Sequence, residues 1–231
     1  MIIVKDDLDE ISILSANEIL ENAREIAKTK EHVVIALPGG RSVKGIYEAL
    51  SRLEDPVWSK IHIFLVDERV VPVSDPESNF GLIWNSFAKG LVEKGILPEE
   101  NLHPFIIDEK EADHGAKRYT SILAEYGGQF DIVLVSSGED GHIASLYPDH
   151  KAISIAGKKY IYLDDSPKPP AKRITASVEL IAHAKFLVVL FTGKSKQEAY
   201  DRFNNVRIPI IDCPAKIAYK MEHSIVYTDL D

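Results

Sequence analysis

One stretch of this sequence sets an ionisable base beside a carboxylate in a glycine-rich turn: SGEDGHIASLYP, residues 137–148, with Asp140, Gly141 and His142 at its centre. An unperturbed imidazole titrates near pH 6.5, and a neighbouring carboxylate can orient it. His142 with Asp140 is therefore a candidate general base. Taken alone, the pair reads equally as a capping aspartate and a structural histidine, and it offers too few ligands for a metal site. The apolar run FDIVLV (130–135) stands just before it, so a buried strand delivers the turn.

Three more polar clusters follow apolar runs. In LPGGRS (37–42), Gly39 and Gly40 let the backbone turn and come close to a ligand. The helix start that follows offers free N–H groups to an anion. Arg41 and Ser42 lie in the same turn, and Ser42 reads as an N-cap, a hydroxyl donor to phosphate, or both. An ordinary strand-to-helix turn explains the segment as well. VDERVVP (66–72) carries Asp67, Glu68 and Arg69, either a solvated strand end or part of a site; Ser78 and Asn79 beyond it read as N-caps. FTGKSK (191–196) contains GKS, but a P-loop needs a glycine five residues before Gly193, and that position is Val188. A glycine, two lysines and a helix start remain, suited to an anion. GxSxG, HExxH and GxGxxG are absent, which argues against a serine nucleophile elbow, a zincin and a nicotinamide cofactor.

The elements that must position these groups alternate. Strand-like runs span 32–37, 61–66, 131–135, 160–163, 186–191 and 224–230, and helical periods fall over 8–28, 42–53, 80–91, 112–123 and 195–203. Nearly continuous apolar strands imply burial on both faces, as in parallel sheets covered by helices. The alternation predicts βαβ units in a three-layer sandwich, read as one domain over 1–231. In such sheets ligands bind beyond the carboxyl ends of the strands, which is where all four clusters fall. DDSPKPPAKR (164–173), with three prolines, predicts an extended surface segment.

The formal charge is −9, a poor basis for nucleic-acid binding, so none is expected. An anion site would have to be made locally. One cysteine, Cys213, rules out internal disulfides. The start MIIVKDDLDE lacks the pattern of a signal peptide and no run approaches a membrane span, so a cytoplasmic protein without a membrane partner is expected.

Together the clusters resemble the glucosamine-6-phosphate isomerase/6-phosphogluconolactonase family, and its lactonase branch in particular. PGGRS is similar to the family's phosphate loop, DERVVP with Ser78 and Asn79 to its DERxVP…SN segment, and SGEDGHIASLYP to its GxDGHxASLFP signature. PKPPAKRIT, with Arg173 and Thr175, resembles PKPPxxRxT; TGKSK, with Lys196, resembles GxxK; CPAKI resembles the closing region. Pro38, Val43 and Ser136 depart from the pattern, Ser136 standing where a glycine is usual. The resemblance implies a Rossmann-like three-layer α/β/α fold with a mostly parallel sheet. It also implies hydrolysis of 6-phosphoglucono-1,5-lactone, a small sugar-phosphate partner, a monomer or weak homo-oligomer, and neither metal nor organic cofactor. In that reading His142 activates water with help from Asp140, and Asp67 orients Arg69. Gly39, Gly40, Arg41, Ser42, Arg69, Asn79, Arg173 and Lys196 bind substrate. The rivals are the sister deaminase, whose motif continues as AFNEP with a glutamate where ASLYP has Tyr147, and a non-catalytic sugar-phosphate sensor.

Overall fold

A computed structural model describes residues 1–231. Its main sheet has six parallel strands in the order β1-β9-β8-β5-β2-β3. These are β1 (Ile2–Lys5), β2 (Val33–Leu37), β3 (Ile61–Leu65), β5 (Ile132–Ser136), β8 (Phe186–Phe191) and β9 (Ser224–Thr228). Strands β2, β3 and β8 are buried along their whole length, as helices on both sides of the sheet require. The architecture is the Rossmann-like α/β/α sandwich that the strand and helix alternation predicts. No helix is long and apolar enough to cross a membrane.

The expected helices form as α1 (Leu8–Ala27), then α2 (Lys44–Ser51) after a first 3-10 turn over Arg41–Val43, then the run α3 (Asn79–Ile83), a π turn (Trp84–Ala88) and α4 (Lys89–Glu93). They continue with α5 (Ala116–Glu125), α6 (Val178–Ala182) and α7 (Gln197–Asn204). Asp7 caps α1 through the N–H groups of Asp9 and Glu10. Residues 112–115, expected in the α5 helix, are turn instead, because Gly115 takes φ +102 immediately before it.

The strand at 160–163 belongs elsewhere than expected. It is β6 (Tyr160–Leu163) of a second, antiparallel sheet in the order β4-β7-β6, with β4 (Asp67–Arg69) and β7 (Arg173–Ala176). Strand β4 is a run of three charged residues that no propensity marks as a strand. Cross-strand pairing makes it one: Asp67 faces Thr175 and Arg69 faces Arg173. This sheet is locked to the larger by buried tyrosines. The Leu65 N–H donates to the Tyr119 hydroxyl at 3.0 Å, and the Tyr160 hydroxyl donates to the Leu65 carbonyl at 2.6 Å. The end of β3, and with it Asp67, is thereby fixed.

At the opposite, amino-terminal edge three histidines form a chain. His62 Nδ1 lies 3.0 Å from His103 Nε2, and His62 Nε2 lies 3.1 Å from His32 Nδ1. Burial is the chief cause that lowers both His62 and His103 to about 4, each ring's charged neighbour adding to it and Glu100 opposing it at His62. Unfolded, both rings would take up protons below about 6.5. Unfolding therefore binds protons, and stability is complete above pH 6.5 and falls as pH drops towards 4. Thermal melts should show Tm falling across that window, and His103→Gln should reduce the fall; a melt flat from pH 7 to 4.5 would contradict the account.

Candidate active site

Strand order reverses at the middle of the main sheet. From β2 the chain adds β3 on one side, then returns to β5 on the other and continues to β8. The loops leaving β2 and β5 therefore diverge, and the crevice between them is where open α/β sheets bind ligands. A polar cleft of about 280 Å³ lies there, lined by residues from the ends of β2, β4, β5 and β7 and from the segment after β8. It gathers Gly39, Gly40, Ser42, Asp67, Arg69, Asn79, His142, Arg173 and Lys196, nine of the residues singled out in the sequence. A larger apolar cleft of about 770 Å³, bounded by Val70–Val73 and Phe105–Ile107, contains none of them.

His142 reaches the cleft by lying over Gly138. A Cβ on Gly138 would come within 2.0 Å of the imidazole, so only glycine fits beneath the ring. Gly141 turns the chain with φ +89, and a Cβ there would meet Cys213 Sγ at 2.9 Å. Asp140 Oδ1 accepts from the His142 N–H at 3.2 Å and lies 2.5 Å from His142 Nδ1. Burial pushes the Asp140 carboxyl up, but its hydrogen bond to His142 and that charge together outweigh this and hold it below the usual carboxylate range. A carboxylate at Nδ1 fixes the Nδ1–H tautomer and leaves the Nε2 lone pair free. Asp140 itself does not line the cleft. Ala144, which does, takes φ +51, a conformation seldom adopted by residues other than glycine.

Lys196 forms the other end. Its Nζ donates to Ser42 Oγ at 2.9 Å and to Ser136 Oγ at 2.7 Å. Burial is the main cause that lowers the amine to about 8; Asp229 and Glu139 oppose it, and Lys168 reinforces it. Ser42 is thus no helix cap, and Gly40, at φ +101, provides the turn. Arg41 is exposed and borders an adjoining groove that shares Ser42, Glu139 and Lys196 with the cleft. Arg173 is buried. Its Nε and Nη2 donate to the carbonyls of Pro170 and Pro169 at 3.1 Å each, so it also pins the proline-rich loop over the cleft.

The charges of β4 are not a solvated strand end. Glu68 is 2% exposed and accepts four hydrogen bonds, from the N–H groups of Arg69, Asn79 and Phe80 and from the Ser78 hydroxyl, all at 2.7–3.0 Å. A carboxylate at the start of α3 is favoured by the helix dipole. Burial raises its pKa, and the four hydrogen bonds oppose the rise. Contrary to the expectation that Asp67 orients Arg69, the two side chains share no hydrogen bond or ion pair. Its carboxylate accepts from Ser145 Oγ at 2.7 Å and from Asn79 Nδ2 at 3.2 Å and lies 3.8 Å from Arg173, whereas Arg69 Nη1 donates to the Glu77 carbonyl at 2.5 Å. The turn before Ser78 offers Arg69 the Glu77 carbonyl, and Asp67 takes its two side-chain hydrogen bonds from Ser145 and Asn79 instead. Asn79 is likewise no cap; Ser78 is, accepting from the Gly81 N–H. Asn79 braces Asp67 and fills the space above Gly39, where a Cβ would fall 1.7 Å from its Oδ1.

Residues 6–227 match the model of the family described as glucosamine-6-phosphate isomerases/6-phosphogluconolactonase. The chain belongs to this family. A 6-phosphogluconolactonase of Borreliella burgdorferi is 32% identical over 200 residues, covering 87% of this chain and 85% of that protein. One from Synechocystis is 37% identical over 175 residues, 71% and 68% of the two chains. Among solved structures, a 6-phosphogluconolactonase from Thermotoga maritima superposes with a TM-score of 0.79 at 23% identity, covering 99% of this chain and 98% of its own. A monomeric glucosamine-6-phosphate deaminase superposes as well, at TM-score 0.81 and 22% identity over 99% and 97% of the chains. These two share the fold and do not separate the activities.

Four lining or bracing groups received no role in the sequence analysis. Lys168 and Ser136 line the cleft, Glu68 ties β4 to α3, and Tyr147 packs its ring 4.6 Å from that of His142. A lone buried glutamate within a charge trio carries no signal of its own; its spacing to Ser78 and Asn79 was the available clue. Removing the Glu68 carboxylate strands three backbone N–H groups. Glu68→Ala should lower unfolding free energy by at least ~3 kcal/mol in urea titrations, and a loss below ~1 kcal/mol would contradict the anchoring role.

Proposed function

We propose that this chain hydrolyses 6-phospho-D-glucono-1,5-lactone to 6-phospho-D-gluconate, with His142 as general base and the Ser42–Lys196 end of the cleft as the seat of the phosphate. The observation that carries the reading is the composition of one cleft. It pairs a tautomer-fixed imidazole with a separate group of cationic and hydroxyl side chains in a chain of net charge −9. The similarity to lactonases at 32% and 37% identity supports the substrate.

A lactone is an activated ester, so its hydrolysis needs a positioned water, a base and stabilisation of the oxyanion. His142 Nε2 takes a proton from water as its oxygen bonds to C1. The carbonyl becomes an oxyanion, then re-forms as the C1–O5 bond breaks, and the imidazolium returns its proton to the departing O5. The product acid loses its proton to solvent. Asp140 stabilises the imidazolium between these steps and keeps Nδ1 protonated. Such acid–base help accounts for about 10²–10⁴ in rate, orientation by the anchored phosphate for more. Asp67, held by Ser145 and Asn79 and close to Arg173, serves as a bracing group for the substrate-binding face.

One observation weighs against the deaminase. Where that enzyme's motif carries a glutamate to assist ring opening, this chain has Tyr147, buried against His142 with its hydroxyl 3.0 Å from Ser166 Oγ. No carboxylate occupies that place.

The test is a rapid lactone-hydrolysis assay corrected for spontaneous hydrolysis. His142→Ala should lower kcat at least ~10²-fold with the fold retained by circular dichroism. Near-normal turnover would remove His142 from the mechanism. Unphosphorylated gluconolactone should be a poor substrate, and Arg173→Ala and Arg69→Ala should raise KM for the phosphorylated one. Equal kcat/KM for both lactones would contradict a phosphate-anchored site, and ammonia release from glucosamine 6-phosphate without lactone hydrolysis would favour the deaminase.

A further inference from the structure

Ser136 ends β5 at the floor of the cleft, in a position where a glycine would give the strand the same path. Its hydroxyl has one protein partner, the Lys196 amine at 2.7 Å. The amine is the donor, so Ser136 Oγ accepts and its own proton is free to be given away. Ser42 stands in the same relation to Lys196 at 2.9 Å. Neither hydroxyl donates to a protein group, and both line the cleft. Two of the three ammonium protons are thus committed, the third is not, and two hydroxyl protons have no protein acceptor.

We propose that Ser136 is an anion-binding residue of this cleft, holding Lys196 in place through its lone pair and donating its O–H to the substrate phosphate. The inference rests on the phosphate-anchored reading above and adds to it a group that the Gly39–Ser42 loop and the four cations, Arg69, Lys168, Arg173 and Lys196, do not supply. The logic is one of complementary polarity. A hydroxyl that accepts from an ammonium is polarised towards giving up its own proton, and an anion is the partner such a donor fits best. Ser42, Ser136 and Lys196 thus bring two hydroxyl donors and an uncommitted ammonium proton together in one cleft. The charged groups facing the amine are Asp229, Glu139 and Lys168. The two carboxylates keep it protonated and Lys168 disfavours that state; the Ser136 lone pair adds to the first effect. Loss of the hydroxyl therefore removes a donor to the anion and a prop for the cation together.

The experiment is calorimetric titration of wild type, Ser136→Ala and Ser136→Thr with inorganic phosphate and with 6-phosphogluconate, across pH 6.5–9, with circular dichroism as a folding control. Ser136→Ala should weaken both ligands about tenfold, the loss expected of one hydrogen bond to a charged group. Binding to wild type should decline as pH rises through about 8, where Lys196 loses its proton, and Ser136→Ala should move that decline to lower pH. Ser136→Thr, which keeps the hydroxyl, should restore both affinity and pH dependence. In the lactone assay the effect of Ser136→Ala should appear chiefly in KM for the phosphorylated lactone, with a smaller change for unphosphorylated gluconolactone. Unaltered phosphate affinity in Ser136→Ala, a threonine variant as weak as the alanine one, or a wild-type chain that binds no phosphate would each overturn the proposal. A wild type that binds phosphate but hydrolyses no lactone would defeat the proposed reaction alone, since the titrations still decide the role of Ser136.

Discussion

The imidazole of His142 occupies the space that a side chain at position 138 would fill. A ring 2.0 Å from a would-be Cβ cannot be approached by any residue but glycine, and the same ring must reach the Asp140 carboxylate 2.5 Å from its Nδ1. These two demands, one steric and one electrostatic, fix where the chain goes after β5. Gly141 supplies the turn between them, backed by Cys213. The remainder of the cleft is arranged around the resulting position: Tyr147 packs on the ring, Ser145 reaches across to Asp67, and Asp67 is held by Asn79.

Buried carboxylates do the work of joining layers here. Glu68 accepts the first free N–H groups of α3, so a charge that would be costly in the interior becomes an acceptor for donors that would otherwise be unpaired. The consequence is functional. Glu68 places Asn79 over Gly39, and the loop after β2 is thereby set against the strand that carries Asp67 and Arg69. Two segments far apart in sequence, LPGGRS and DER…SN, share one wall of the cleft because a single glutamate and a missing Cβ allow it.

Much of this was legible beforehand. The buried parallel strands announced themselves as apolar β-branched runs, and the sheet rule then placed every polar cluster at one edge. His142, Ser42 and Lys196 were recoverable from residue type and neighbouring glycines. What stayed hidden depends on partners distant in sequence. Strand β4 exists because β7 pairs with it, so its own residues gave no sign. Arg69 turned to a backbone carbonyl instead of Asp67, a choice made by the path of the 75–78 turn. Arg41 borders a groove beside the cleft, a position set by the turn over Arg41–Val43 and invisible in composition. Ser136 departs from the family's usual glycine, and only the distance to Lys196 gives that departure a physical meaning.

The central claim is that Asp140 keeps the proton of neutral His142 on Nδ1, leaving Nε2 as the base that faces the cleft. Nitrogen-15 NMR of the histidine-labelled protein reads this directly, with His142→Gln identifying the resonances. At a pH above the imidazole titration, the account predicts a protonated Nδ1 and an Nε2 with the shift of an unprotonated nitrogen, and Asp140→Asn should disturb that preference. A neutral His142 carrying its proton on Nε2 would contradict the account, because the nitrogen assigned to accept the proton from water would already hold one.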